Sequence, residues 1–164
     1  MLVNFDSLED TSKIWIYQSN REFSENEVAE ISHNLENFIG AWKRHGDDLK
    51  ASYQIKYNQF IVIAVDENFN EVSGCSIDAS VNLIKQFEQK FSVDLTNKLN
   101  ISFKDNHNIN VVSMSDFQNY AKQQKITSNT VVFNNMITNK GDFKQHWEVT
   151  ADKSWHKRFL AVTN

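Results

Sequence analysis

Proline is absent from this 164-residue sequence, and glycine occurs only four times. Without proline, cis-proline turns and proline-rich linkers are excluded. The glycines have neither the spacing nor the following Lys-Ser or Lys-Thr of a P-loop, and they form no G-x-G-x-x-G pattern; they are Gly40, Gly46, Gly74 and Gly141. The sequence therefore excludes a P-loop ATPase and a dinucleotide-binding loop of the Rossmann type.

Cysteine occurs once, at Cys75, which excludes an internal disulfide and a cysteine-rich structural metal site. One cysteine is compatible with a reducing compartment. No apolar run reaches the roughly 18 residues of a transmembrane helix, and the N-terminus lacks the basic segment and following apolar run of a signal peptide. We therefore expect a soluble cytoplasmic protein without a membrane partner.

Metal-binding residues are not clustered in the sequence. The five histidines form no H-x-x-x-H pair. Asp66, Asn68 and Asn70 have the spacing of calcium-loop ligands, but Glu71 and Ile77 stand where such a loop has Gly and Glu. We therefore predict no metal and no cofactor, and we interpret this segment as a turn, which Asp and Asn favour.

Hydrophobic residues form 40% of the chain, as in a globular domain, and their spacing predicts an α+β fold. Ser24 and Glu27 form a capping-box pattern before an apolar stripe, which predicts a helix over about 24–45 that stops at Gly46. A second stripe from Ile77 predicts a helix over about 76–91. Other apolar runs predict strands at 12–18, 51–57, 60–65, 71–73, 100–103, 108–112 and 130–137, and a helix capped by Ser115 over 115–124.

The order of these elements through residue 104 reads βαββαβ, which is the ferredoxin-like pattern. We predict a single domain over residues 1–164, with a mixed or antiparallel sheet and helices on one face. Its core would span about 12–104, and a C-terminal α/β extension would span about 105–164. The alternative is a ribonuclease-H-like mixed sheet.

The segment SGCSID, residues 73–78, precedes the second predicted helix and holds the candidate catalytic residue Cys75. A helix N-terminus activates a thiol as a nucleophile, and a histidine would have to serve as its base. Asp78 and His156 are the other candidate catalytic residues. Asp78, in the predicted first turn, would oppose a thiolate, and free cysteines are often buried as small apolar residues.

The same segment is also a candidate anion site. Ser73, Gly74 and Ser76, together with backbone amides, could hold a phosphate at the helix N-terminus. The carboxylate of Asp78 would weaken that attraction. The alternative is a capping turn, in which Gly74 supplies a special conformation, Ser76 or Asp78 is the cap, and Cys75 is buried.

Two further segments supply candidate ligand-binding residues. The C-terminal KSWHKRF combines Trp155, His156 and Arg158, a mixture that can bind single-stranded nucleic acid by stacking and charge. The net charge of −4 argues against nucleic acid and favours the alternative, in which a helical turn docks on the core. Asn134 and Asn135, at the end of a predicted strand, either line a ligand pocket or form a turn.

Five blocks, WIYQSNREF, IKYNQFIVIAVDE, SGCSID, VVFNN and SWHKRFL, together resemble a small bacterial protein family that is often labelled "ABC transporter ATPase". The resemblance runs over nearly the whole chain. The label itself is unsupported, because an ABC ATPase carries a Walker A loop, a signature motif and a longer chain. The resemblance therefore implies family membership but no activity and no catalytic residues.

The sequence supports two functional hypotheses. The first is a cytoplasmic, non-enzymatic binding or interaction domain, because no acid–base, metal or phosphate motif is present. The second is a small enzyme or ligand-binding protein with a pocket near residues 73–78, 134–135 and 154–159. The partner would be a small molecule or a protein, and an uncovered sheet edge could support a homodimer.

Overall fold

The computed structural model describes residues 1–160 and has two compact units. The first unit comprises residues 1–96 and 138–141, and the second comprises residues 97–137 and the chain from residue 142 onward. The predicted core and extension have other bounds than these units, because the second unit begins at residue 97 and residues 138–141 return to the first unit. Whether the units form a single domain stays a prediction, whereas the α+β class is confirmed.

The first unit contains five strands and two long helices among its described residues: β1 (Lys13–Gln18), α1 (Glu25–Gly40), β2 (Lys43–Arg44), β3 (Asp47–Asp48), β4 (Ala51–Lys56), β5 (Phe60–Val65) and α2 (Gly74–Phe91). The second unit contains β6 (Asn100–Asp105), β7 (Asn108–Ser113), α3 (Met114–Lys122), β8 (Val131–Phe133) and β9 (Glu148–Thr150). Helix α4 (Lys140–His146) begins in the first unit and continues into the second. Residues 1–160 also include three short 3-10 helices, at Phe5–Ser7, Ala151–Lys153 and Trp155–Phe159.

A three-stranded antiparallel sheet in the order β1-β5-β4 forms the centre of the first unit. All six residues of β5 are buried, as its unbroken apolar sequence predicts. Ile61, Ile63 and Val65 share one face of this strand and belong to the same core as Leu35 of α1 and Ile84 of α2. The apolar stripes of both helices therefore cover one face of the sheet.

Helix α1 has the predicted capping box but ends earlier than predicted. Ser24 Oγ accepts from the Glu27 amide, and Glu27 accepts from the Ser24 amide. The helix stops at Gly40, and the prediction that Gly46 ends it is wrong. Gly46 instead lies with His45 in the two-residue turn of the β2–β3 hairpin, with φ of 86° and 50°. Two-residue hairpin turns need residues with left-handed backbone conformation. Gly46 is therefore required by the hairpin turn and not by the end of a helix.

Two predicted strands are corrected. Residues 71–73 form no strand, because Ser73 is the N-cap of α2. The strand at Asn100–Asp105 does not close the first sheet; it pairs with β7, its neighbour in sequence, in the second sheet. The edge beside β1 is occupied by residues 138–139, through a hydrogen bond from the Ile14 amide to Thr138 O (3.0 Å). The ferredoxin-like pattern is therefore not confirmed.

Lys140 fastens this returning segment to the first unit. Its side chain is buried, and Nζ donates to the carbonyl oxygens of Asp6 (3.1 Å) and Leu8 (2.6 Å). The ammonium also lies over the Phe5 ring, 5.5 Å from its centroid. These partners compensate the cost of removing a cation from water.

The second unit is a four-stranded antiparallel sheet in the order β7-β6-β8-β9. Phe117 and Ala121 of α3 pack on its core residues Ile101 and Val132. The cap of α3 is Ser113 and not Ser115, since Ser113 Oγ accepts from the Asp116 amide (3.1 Å). The predicted strand at 130–137 is shorter, because Asn134 Oδ1 accepts from the Met136 amide and turns the chain. None of the helices in residues 1–160 has the length and apolar character needed to cross a bilayer.

Candidate functional site

The start of α2 is fixed by its own cap and by two hydrogen bonds to the segment after α1. Ser73 Oγ accepts from the Ser76 amide (3.1 Å) and caps the helix. Ser76 Oγ donates to Lys43 O (2.9 Å), and Trp42 Nε1 donates to Ser76 O (3.0 Å). The first turn of α2 is therefore held against residues 42–43, and Ser76 and Trp42 are both buried there.

A concave site of about 450 Å³ lies where these elements meet. The last turn of α1, the β2–β3 hairpin and the first turns of α2 form its walls. Its lining combines aromatic, small, basic and hydroxyl-bearing side chains: Phe38, Ala41, Trp42, Lys43, His45, Ser73, Cys75, Ser76 and Ala79. The whole lining belongs to the first unit.

The structure corrects the interpretation of SGCSID in three respects. Cys75 is exposed and lines the cavity, so the predicted burial of its thiol is wrong. Gly74 is the first helical residue and has no left-handed φ, so no special conformation requires glycine there. Asp78 lies beyond the first turn, because the helix begins two residues earlier than predicted. Without an acid in that turn, the predicted opposition to an anion disappears.

The first turn of α2 therefore presents unpaired donors. The amides of Gly74 and Cys75 precede the first intrahelical hydrogen bond, and neither has a partner within residues 1–160. Lys43 also lines the cavity, and its Nζ lies 3.2 Å from Asp48 Oδ1. Both of these side chains are half-exposed, and an exposed ion pair of this kind is weak and exchangeable.

The predicted residues Asn134 and Asn135 lie in the second unit and have structural partners. The Asn134 amide donates to Trp147 O (2.7 Å), and Trp147 Nε1 donates to Asn135 Oδ1 (2.9 Å). Trp147 is buried against Phe133, the last residue of β8, with ring centroids 4.8 Å apart. The asparagines thus hold a core tryptophan at the end of the strand.

His156 is buried in the second unit with only 1% of its surface exposed. Its Nδ1 lies 2.7 Å from Ser154 Oγ, and its ring lies 3.9 Å from that of Trp155. Burial, with a smaller contribution from the Arg158 charge, lowers the pKa of His156 from 6.5 to about 4. The imidazole is therefore neutral at pH 7, and its Nε2 has no partner within the described residues.

The remaining C-terminal candidates form an aromatic and basic cluster. The Arg158 guanidinium lies over the rings of Trp155 (5.1 Å) and Phe159 (4.8 Å). Phe159 also contacts Phe117 of α3, with ring centroids 5.6 Å apart. The aromatic residues thus dock a helical turn on the core of the second unit, which agrees with the docking interpretation of KSWHKRF.

The structure brings together only part of the predicted site. Ser73, Gly74, Cys75 and Ser76 lie side by side, whereas Asp78 is outside the cavity lining. Residues 134–135 and 154–159 belong to the other unit. Within residues 1–160, no group of three His, Cys, Asp or Glu side chains could hold a metal ion. Asp66 Oδ1 accepts from the Asn68 amide (3.0 Å), which makes the calcium-like spacing an Asx turn.

Sequence reasoning missed the opposite wall of the cavity. The helix predicted over about 24–45 contains Phe38, Trp42, Lys43 and His45, so the prediction puts all four on one helix and not around a cavity. The available signal was His45-Gly46, since a short polar segment with glycine can close a hairpin. No protein-family model, curated protein or solved structure matches the chain.

Proposed function

We propose that this protein is a non-enzymatic binding domain whose first unit binds a small anion with an apolar group in the α2 cavity. One observation carries the proposal: unpaired amides at the N-terminus of an 18-residue helix face a site walled by aromatic side chains. We place the protein in the cytoplasm, because an exposed, unpaired Cys75 suits a reducing compartment. The resemblance to the small bacterial family belongs to the same proposal and adds no activity to it.

The anionic group of the ligand would bind at the first turn of α2. The Gly74 and Cys75 amides are donors, and the helix dipole favours negative charge at this end. Lys43 would exchange its exposed pairing with Asp48 for the ligand, and His45 adds a second donor to the lining. A carboxylate or a phosphate satisfies these donors equally well.

The apolar group would pack on the opposite wall. Phe38 and Trp42 lie with ring centroids 5.2 Å apart, and Ala41 and Ala79 leave space beside them. The Trp42 indole N–H already donates to Ser76 O, so this wall carries no unpaired indole donor, and the buried Trp42 ring supports the partly exposed Phe38. A ligand with charge at one end and hydrocarbon at the other therefore fits this lining better than inorganic phosphate does.

Octanoate is a suitable probe, with 1-octanol and inorganic phosphate as half-ligands. We expect titration of the ¹⁵N-labelled protein with octanoate to shift the Gly74 and Cys75 amides and the Trp42 indole signal. Each half-ligand should bind at least about tenfold more weakly, because it lacks one of the two contributions. Binding of octanoate no tighter than that of 1-octanol, or shifts confined to other residues, would disprove the proposal.

A matched pair of variants separates the local charge from the net charge. Lys43→Gln should weaken octanoate binding severalfold and leave binding of 1-octanol unchanged. Lys85→Gln removes the same charge from the exposed middle of α2 and should change neither. Equal effects of the two substitutions would show that the charge of the cavity does not bind the anion.

A thiol enzyme is a second candidate. The exposure of Cys75 favours it, because the only cysteine lines the same cavity as His45. In that case Cys75 would be the nucleophile and His45 the base. The candidate catalytic residue His156 is buried in the other unit. Native Cys75 would then react with thiol reagents far faster than the unfolded chain.

A further inference from the structure

Strand β7 forms one edge of the sheet in the second unit. Its six residues, NINVVS, include no charge, no proline and no glycine. Its register with β6 runs without interruption from Asn100↔Ser113 to Asp105↔Asn108, so no bulge bends it. An edge strand of this length and composition has unpaired backbone groups ready to pair with another strand.

Every other strand at a sheet edge within residues 1–160 is short, carries a charged residue or is partly covered by another segment. Strand β9 has only three residues, and its Glu148 pairs with Lys104 (3.0 Å). Residues 138–139 pair beside β1, and Leu2 bridges to Ala51 at the start of β4. These are the devices by which soluble proteins block edge-to-edge association, and β7 has none of them.

The charges on α3 add a second observation. This helix packs against both β6 and β7, with Asp116 in its first turn and Lys122 in its last. Both side chains are exposed, and neither has an ion-pair partner within the described residues. The neighbourhood of the open edge therefore holds two unpaired, opposite charges at the two ends of one short helix.

We propose that β7 pairs antiparallel with β7 of a second copy of this chain, across a two-fold axis perpendicular to the sheet. That axis makes the two α3 helices antiparallel, so the end of each helix that carries Asp116 lies beside the end of the other that carries Lys122. The uncharged strands meet without like-charge repulsion, and the α3 charges become complementary. The strand thus fits a second copy better than a charged extended peptide.

Sedimentation analysis and strand variants test the pairing. The wild-type chain should have a mass near 38 kDa, twice the 19.1 kDa of one chain, at micromolar concentration. Val111→Lys, at a half-buried position of β7, should raise the dissociation constant at least about tenfold. Gln54→Lys places the same charge on a half-buried position of β4 and should leave the dimer intact. Circular dichroism of each variant shows whether it is folded.

Charge exchange on α3 tests the geometry without touching the core. Asp116→Lys and Lys122→Asp should each weaken the dimer severalfold, and the combined variant should restore it. A second measurement uses Asn110→Cys in a Cys75→Ser background, where oxidation should link two chains near the axis.

Three outcomes would overturn the dimer proposal. A monomer at millimolar concentration would leave the β7 edge to an extended segment of a different protein. If Val111→Lys and Gln54→Lys weaken the dimer equally, the dimer is formed by a surface other than β7. Failure of the combined α3 variant to restore a weakened dimer would exclude the antiparallel placement of the helices. None of these measurements depends on octanoate binding, so this proposal and the proposed function fail separately.

Discussion

The two long helices of the first unit begin with the same kind of cap and differ in the residues of their first turns. Each has a serine N-cap whose hydroxyl accepts from the third helical amide. In α1 the third residue is Glu27, which closes the capping box and pairs with Arg21 through two contacts of 2.8 Å. In α2 the third residue is Ser76, and no acid lies in the first turn. We call the N-terminus of α1 sealed, because the carboxylate of Glu27 already compensates it, and the N-terminus of α2 open, because it has no such carboxylate and lies in the cavity.

This difference separates a structural role from a binding role. Arg21 also donates to Phe91 O, so the sealed end of α1 is tied to the last residue of α2. The protein's own carboxylate already occupies the place where an external anion would bind. At α2, serine hydroxyls fix the turn without supplying charge, which leaves the dipole and two amides uncompensated. The comparison therefore predicts anion binding at α2 and none at α1.

The largest expected effect comes from opening the sealed end. Glu27→Ala removes the bond to the Ser24 amide and both contacts with Arg21, so we expect the free energy of unfolding to fall by about 1–2 kcal/mol. Glu25→Ala, in the same turn but outside this capping network, should cost only about 0.3 kcal/mol. Chemical denaturation followed by circular dichroism measures both. Equal losses would mean that the carboxylate of Glu27 does not seal the helix.

The same seal should depend on pH. Arg21 and the Ser24 amide lower the pKa of Glu27 from 4.5 to about 2. Since the folded state holds the proton more weakly, the stabilisation is complete above pH 4.5 and is lost as pH falls toward 2. The stability difference between the wild type and Glu27→Gln should therefore shrink over that window. A constant difference would contradict the charged pairing.

The next effect comes from sealing the open end. Cys75→Asp places an acid in the first turn of α2, and we expect it to weaken octanoate binding about tenfold while raising helix stability by about 0.5 kcal/mol. Cys75→Asn has a similar shape without the charge and should change both much less. Calorimetry measures the affinity. Unchanged binding by Cys75→Asp would remove the distinction between the two helix ends.

The caps themselves should have comparable effects on stability. Ser24→Ala and Ser73→Ala each remove one capping bond and should each cost about 1 kcal/mol. Only Ser73→Ala should also weaken octanoate binding, because it loosens the turn that presents the Gly74 and Cys75 amides. Ser113→Ala removes the equivalent cap of α3 and is the control for binding. A binding loss shared by all three variants would indicate general destabilisation.

The smallest expected effect is in thiol labelling. Because the uncompensated N-terminus of α2 favours a thiolate only modestly at an exposed position, native Cys75 should be labelled faster than the denatured chain by no more than about threefold. Saturating octanoate should slow the native reaction, since Cys75 lines the cavity, and labelling of denatured protein is the control. A native rate far above the denatured rate would favour the thiol enzyme instead.

Local patterns predicted the helices better than their surroundings. The capping box of α1 could be recognised because Ser24 and Glu27 need no distant partner. The end of the same helix could not, because β2 and β3 have two residues each and show no apolar alternation. The hairpin turn requires a left-handed backbone conformation at His45, and strand propensity gives little indication of such a turn.

Features that depend on distant partners escaped prediction. The helical stripe located α2, but its first residue and the exposure of Cys75 depend on the bond between Trp42 and Ser76, 34 residues apart. Strand β6 was predicted from its own residues, but those residues do not indicate that it pairs with β7 and not with the first sheet. The α2 cavity depends on a local pattern, the start of α2, and on contacts with residues distant in sequence. Only the wall formed by SGCSID could therefore be predicted.

The position of Lys140 also constrains when the first unit can finish folding. Its bonds to Asp6 and Leu8 join residues more than 130 positions apart. During synthesis, β1 must therefore wait for its outer neighbour until the intervening segment 97–137 has left the ribosome. Closing so long a loop costs entropy before the bonds of Lys140 form. The last step in assembling the first unit thus depends on Lys140, which is synthesised long after the residues that it binds.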